Sequence, residues 1–139
     1  MAIHFDFCDC EVKLPDSTLL KNWIRTVIVN HGRSIGRINY LFCNDEYIYD
    51  VNVRFLNHDT YTDIITFDYV EGNVISGDIL ISVDRVGENA LNIGVPFEQE
   101  LCRVIIHGVL HLLGFKDKTD KDASQMRNKE DESLALLSL

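Results

Sequence analysis

A chain of 139 residues, 46% hydrophobic and 25% charged, is long enough for one domain, residues 1–139, with a substantial core. Its net charge of −9 excludes a protein that coats nucleic acid by bulk electrostatics, though not an enzyme with a locally positive cleft. No apolar run approaches the ~20 residues of a membrane span, and the N-terminus, MAIHFDFCDC, lacks the basic segment and cleavage pattern of a signal peptide, so a cytoplasmic protein without a membrane partner is expected. Four cysteines, Cys8, Cys10, Cys43 and Cys102, form no C-x-x-C pair and read as reduced, small apolar fillers; Cys8 and Cys10 would share a strand face and could touch a metal.

Residues 3–7 alternate apolar and polar, with Ile3, Phe5 and Phe7 on one side, and read as a strand. After the break at Leu14, Pro15 and Asp16, Asp16 or Ser17 can cap a helix with the stripe Leu19, Leu20, Trp23, Ile24, Val27 and Ile28. That helix stops near Asn30, His31 and Gly32. A second strand spans 36–43, and Asn44 or Asp45 caps a second helix marked by Ile48, Val51 and Phe55. Beyond Asn57, His58 and Asp59, residues 63–70 are a β-branched and aromatic run suited to a third strand. Glu71, Gly72 and Asn73 signal a turn, and 77–83 is the fourth strand, paired with the third through a connection longer than a tight hairpin. Ser82 or Asp84 starts a short helix through Val86, Ala90 and Leu91 that ends at Gly94. A final helix, 121–137, carries Ala123, Met126, Leu134 and Leu137 on its apolar side and charge outside. The order β-α-β-α-β-β-α-α-α predicts an α+β fold, a small mixed four-stranded sheet packed with about five helices.

The fourth helix, within residues 95–119, carries the chemistry. Pro96 suits its first turn, Glu98 and Glu100 favour its N-terminus, and Leu101, Val104, Ile105, Val109 and Leu112 recur at helical spacing up to a stop at Gly114. His107 and His111 are four apart, which puts them on one face with Cβ atoms roughly 6 Å apart, near enough to share one metal ion. Past the turn, Asp117 can swing back as a third ligand, leaving a coordination position for water. The same spacing also fits two half-buried histidines bonded to carbonyls, with Asp117 a cap or lysine partner and Asp120 or Asp122 the nearby acids. A two-histidine, one-carboxylate set holds Zn(II) and also suits Fe(II), Ni(II) and other first-row ions. Lys116, Lys118 and Lys121 flank the site.

The stretch HGVLHLLGFKD, residues 107–117, resembles the H-G-x-L-H-L-x-G-[YF]-D-H signature of the YbeY family, metal-dependent endoribonucleases of bacterial rRNA maturation. A second family pattern, N-x-x-[YF]-R-x-x-D-x-x-T-[DN]-[VI]-L-[ST]-F, is matched at Asn52, Phe55, Asp59, Thr62, Asp63, Ile64, Thr66 and Phe67, followed by G-D-I at Gly77, Asp78 and Ile79. The resemblance implies a zincin-like, single-strand-specific endoribonuclease acting at the 3' end of small-subunit 16S rRNA, with RNA and the small ribosomal subunit or its proteins as partners. It also implies that His107, His111 and Asp117 are both metal ligands and catalytic residues. Two positions depart from the pattern: Asp117 stands where the family has its third histidine, and Leu56 where it has an arginine. Arg54 points away from position 56 on a helix and is no replacement.

A metal-activated water suits phosphodiester hydrolysis. Peptide hydrolysis by H-E-x-x-H enzymes needs a glutamate beside the first histidine, where this chain has Gly108. Asp59, Asp63 and Glu46 are the candidates for general base. Two other readings are a ribosome-associated assembly factor with a mainly structural metal and a two-His-one-carboxylate Fe(II) oxygenase, the latter usually housed in a β-barrel.

Overall fold

The computed structural model describes residues 2–8, 10–57 and 62–137. Nine elements follow in the expected order: β1 (Ala2–Cys8), α1 (Ser17–Asn30), β2 (Ser34–Cys43), α2 (Asp45–Leu56), β3 (Ile64–Asp68), β4 (Val74–Ser82), α3 (Val83–Ile93), α4 (Phe97–Leu112) and α5 (Asp120–Ala135). The four strands form one mixed sheet in the order β1-β2-β4-β3, parallel except for β3, which runs antiparallel to β4 at the edge. This is the predicted α+β architecture. An open four-stranded sheet is not the barrel of the oxygenase reading. His58 and Asp59 lie outside the described residues.

Strand alternation divides the molecule into two cores. Ile38, Tyr40 and Phe42 of β2, with Ile75, Ile79 and Ile81 of β4, face α1 and α4 in the main core. Cys43 and Leu80 face the opposite side, where Ile48 of α2 and Ile65 of β3 close a smaller core. Helix α4 is buried along most of its length, from Glu100 to Leu112, which explains its nearly continuous apolar sequence. The buried Tyr40 hydroxyl donates to the Ile105 carbonyl at 2.9 Å and fastens β2 to α4.

Several boundaries differ from the sequence expectation. β2 starts at Ser34 rather than Gly36, because Ser34 and Ile35 pair with β4 beyond an irregularity between Ile35 and Ile38. β3 is shorter than 63–70, while β4 begins at Val74 rather than Gly77. Their connection is tight, since Glu71 and Val74 exchange backbone bonds and Gly72, at φ 57°, takes the first central turn position. Pro96 is the N-cap of α4, not part of its first turn. Thr119 caps α5 through its side chain, starting that helix at Asp120, and the helix ends at Ala135. Phe55 is 71% exposed and Leu91 85% exposed, so neither belongs to its helix's buried face; Asn52 is buried on α2 instead. Ala123 is exposed as well, and Glu130 and Ser133 join Met126 on the buried side of α5.

Two glycines let α4 lie against the sheet. A Cβ on Gly108 would stand 2.9 Å from Ile79 Cδ1 and 3.2 Å from Ile64 Cδ1. One on Gly77 of β4 would stand 2.7 Å from the Phe67 carbonyl oxygen and 2.9 Å from Leu112 Cδ2. The carbonyl belongs to the neighbouring strand and cannot rotate away. Gly77→Ala is therefore expected to lower stability by about 1–3 kcal/mol, seen as a reduced denaturant midpoint at unchanged slope. An unchanged or raised midpoint would show that the sheet yields at this point.

Candidate metal centre

The last turn and a half of α4 presents His107 and His111 with ring centroids 4.6 Å apart and planes at 80°. The helix then closes in a Schellman turn. The Phe115 N–H donates to the Leu110 carbonyl and the Gly114 N–H to that of His111, both at 3.0 Å, with Gly114 at φ 104°. Phe115 anchors the reversal by packing on the core, edge-on to the His31 ring and under the Lys129 ammonium. The chain so redirected brings Asp117 back over the histidines. Its Oδ2 lies 3.4 Å from His107 Nε2 and 3.6 Å from His111 Nε2.

These distances are too long for good hydrogen bonds. They match the edges of a coordination tetrahedron, because an ion with bonds of about 2.0–2.1 Å holds its donor atoms about 3.4 Å apart. One ligand atom from each of His107, His111 and Asp117 falls within 4.8 Å of the others, so the three could hold a metal ion. Asp117 is 43% exposed, leaving one side of the cluster open to solvent.

The opposite side of His107 is closed. Its Nδ1 meets Glu130 Oε2 at 2.6 Å, and Glu130 Oε1 accepts from Arg103 at 2.9 Å. Arg103 also bonds Asp131 at 3.0 Å. Burial pushes the His107 value down, but the hydrogen bond and charge of Glu130, helped by Asp117 and Asp63, more than offset this, and the net shift is upward. His111 goes down, through burial and then the charge of His107. Burial raises Glu130, yet its bonds to His107 and Arg103 bring it below the usual carboxylate range.

Glu130 was not singled out from the sequence, where α5 reads as a charged face. A signal was present: Glu130 is four residues from both Met126 and Leu134, on the very stripe that packs inward. Glu100 is a second buried acid missed by sequence reasoning, raised by burial first and then by Asp63 and Glu130 against the pull of two arginines. It shares a cavity of about 240 Å³ with Asp63, Arg103, His107, Asp117 and Glu130.

Of the proposed general bases, Asp63 lines this cavity and accepts weakly from Asn89 at 3.4 Å. Glu46 is an exposed residue of the first turn of α2, and Asp59 lies outside the described residues. Asp120 and Asp122 sit in the first turn of α5 and are not in the ligand cluster. Lys116, Lys118 and Lys121 are exposed on the loop and helix start beside Asp117. Leu56 ends α2, and Arg54 pairs with Asp50 at 3.1 Å on the exposed side of that helix. All four cysteines are free thiols; burial pushes Cys43 and Cys102 up to about 12, which keeps them un-ionised and inert at neutral pH. Cys10 donates to the Phe42 carbonyl. Gly108 faces the sheet and not the ligand cluster, so a peptidase-type glutamate there would collide with Ile79.

No helix among the described residues is long and apolar enough to cross a membrane. The chain is 52% identical over 134 residues to the endoribonuclease YbeY of Flavobacterium johnsoniae, covering 96% of each. It is 52% identical over 119 residues to that of Porphyromonas gingivalis, 86% of this chain and 79% of the relative. A Thermotoga maritima protein solved in solution superimposes with a TM-score of 0.66 at 30% identity, covering 96% of this chain and 87% of its own. The family model described as endoribonuclease YbeY matches residues 8–138, and with the relatives above it shows that the chain belongs to the endoribonuclease YbeY family.

Proposed function

We propose that residues 1–139 act as one domain, a metal-dependent endoribonuclease that hydrolyses single-stranded RNA during rRNA maturation, with His107, His111 and Asp117 as metal ligands and catalytic residues. The observation that carries this reading is the convergence of His107, His111 and Asp117, with Asp117 Oδ2 3.4 and 3.6 Å from the two Nε2 atoms, one ligand atom from each residue within 4.8 Å of the others, and Asp117 half-exposed. A structural site usually closes with four protein ligands. Three ligands and an open side favour hydrolysis over an assembly factor with a structural metal. Zinc is the expected ion, with Fe(II) and Ni(II) compatible with the same donors.

When bound, the ion supplies Lewis acidity, lowering the pKa of a coordinated water and polarising a phosphoryl oxygen. The residues do the rest. His107 and His111 offer Nε2 lone pairs, and Asp117 offers an anionic oxygen. Asp63, in the cavity beside His107 and Asp117, is placed to take a proton from an attacking water. Lys116, Lys118 and Lys121 supply cations for phosphates on the solvent side. The proposed substrate is the small-subunit rRNA near its 3' end, met on or beside the small ribosomal subunit in the cytoplasm.

His111→Ala should abolish cleavage of rRNA fragments that carry single-stranded segments, on the order of a thousandfold or more, since the several kcal/mol supplied by the ion go with it. Purified, zinc-loaded protein that cuts no RNA, or a variant that cuts as well, overturns the nuclease reading. Asp117→Ala should lose bound zinc by elemental analysis while Asp120→Ala and Asp122→Ala retain it; full zinc in Asp117→Ala removes Asp117 from the ligand set. Metal retention should also depend on acidity. The His107 value is raised, so its proton competes with the ion from above the ordinary imidazole value of ~6.5 as pH falls. Chelator competition across the imidazole range should show affinity already declining above that value. Affinity that stays level through the range contradicts coordination by His107.

A further inference from the structure

We infer that Glu130 and Arg103 form a two-part clamp that fixes the tautomer of His107, so that its Nε2 presents a lone pair to the metal position. The inference rests on the ligand set proposed above and goes beyond it, because neither residue touches the metal position. Both are positioning residues.

Three observations carry it. First, Glu130 is 6% exposed, and both its oxygens are engaged, Oε2 by His107 Nδ1 at 2.6 Å and Oε1 by Arg103 at 2.9 Å. Second, an ionised carboxylate only accepts, so the His107 nitrogen facing it must carry the hydrogen, and in the neutral ring the lone pair is then on Nε2. Third, Nε2 is the nitrogen that faces Asp117, 3.4 Å away. His111 takes a backbone partner instead, Phe115, so the buried carboxylate–arginine clamp belongs to His107.

The clamp is built into the packing of α5. Trp23 of α1 donates its indole N–H to the Ser133 carbonyl at 2.7 Å in a buried contact. Met126, Glu130 and Ser133 share the buried side of α5. The chain thus holds Glu130 from behind through α1 and from the side through Arg103 of α4, one turn before His107.

Arg103 does more than neutralise charge. It can only donate, so it demands an acceptor at Oε1. Arg127, 4.0 Å from the same oxygen and exposed, is beyond hydrogen-bond reach. In Glu130→Gln the amide has one accepting and one donating end. Arg103 claims the oxygen, the amide N–H₂ turns to His107 Nδ1, and the ring proton moves to Nε2, where it blocks the metal. Removing Arg103 as well frees the amide to rotate and accept from Nδ1 again.

The test reads the His107 tautomer by nitrogen-15 NMR of metal-free protein at alkaline pH, and zinc affinity by chelator competition. Wild type and Arg103→Met should both show hydrogen on Nδ1. Glu130→Gln should show it on Nε2 and bind zinc about 10–100-fold more weakly. Arg103→Met/Glu130→Gln should regain the wild-type tautomer and most of the lost affinity, a rescue that a merely structural role for Glu130 does not give. Hydrogen on Nε2 in the wild type overturns the inference without any variant, as does unchanged tautomer and affinity in a folded Glu130→Gln. Wild-type protein that binds no zinc while His107 carries its hydrogen on Nδ1 overturns the ligand set and leaves the clamp standing.

Discussion

The close approach of α4 to the sheet governs the rest of the molecule. At about 100° per residue, a helix whose position 108 is pressed onto Ile79 and Ile64 has its rotation about its own axis fixed. His107 and His111 then fall to one side of the contact, turned off the sheet but not into open solvent. A side chain at 108 would lift the helix and rotate both rings at once. Gly77 does the same one turn further on, where Leu112 rests on the strand. The placement of His107 and His111 is therefore a consequence of two missing Cβ atoms in the main core.

From that fixed helix, two different devices bring in the acids. Asp117 arrives by local chain reversal, with Gly114 providing the left-handed turn and Phe115 the apolar anchor. Glu130 arrives by tertiary packing, carried on α5 and held by the Trp23 and Arg103 bonds. The first device is short in sequence and the second is not. This difference explains what could be read beforehand. A pair of histidines at helical spacing, a glycine stop and an acid three residues later are visible in one stretch. Glu130, 23 residues from its histidine, is not, because its burial depends on which face of α5 meets α4.

The same logic accounts for the rest of the fold. Strands and helices were legible where one periodicity ran unbroken, as in α1 with its buried Leu20, Trp23, Ile24, Val27 and Ile28. They were misjudged where tertiary context intervened. The irregularity after Ile35 hid the start of β2, since Gly36 read as the strand's beginning rather than its interruption. Phe55 and Leu91 counted as core residues by type alone, yet each sits on the outer side of a helix that buries only one flank. An apolar residue on a helix is weak information about which way it faces.

Charge sets a further constraint on the site. Asp117 places an anion beside both histidines, where the family pattern has a neutral histidine, and Glu130 adds a second anion behind His107. Two carboxylates would offset the charge of a divalent ion held there, leaving none with which to attract a phosphodiester. Arg103 offsets Glu130 from the buried side, but it also pairs with Asp131 and so adds no net positive charge there. In a chain of net charge −9, and with Leu56 in place of the arginine of the family pattern, local cations must supply the attraction that the whole molecule lacks. Lys116, Lys118 and Lys121, exposed beside Asp117, are the cations on the solvent side for that attraction.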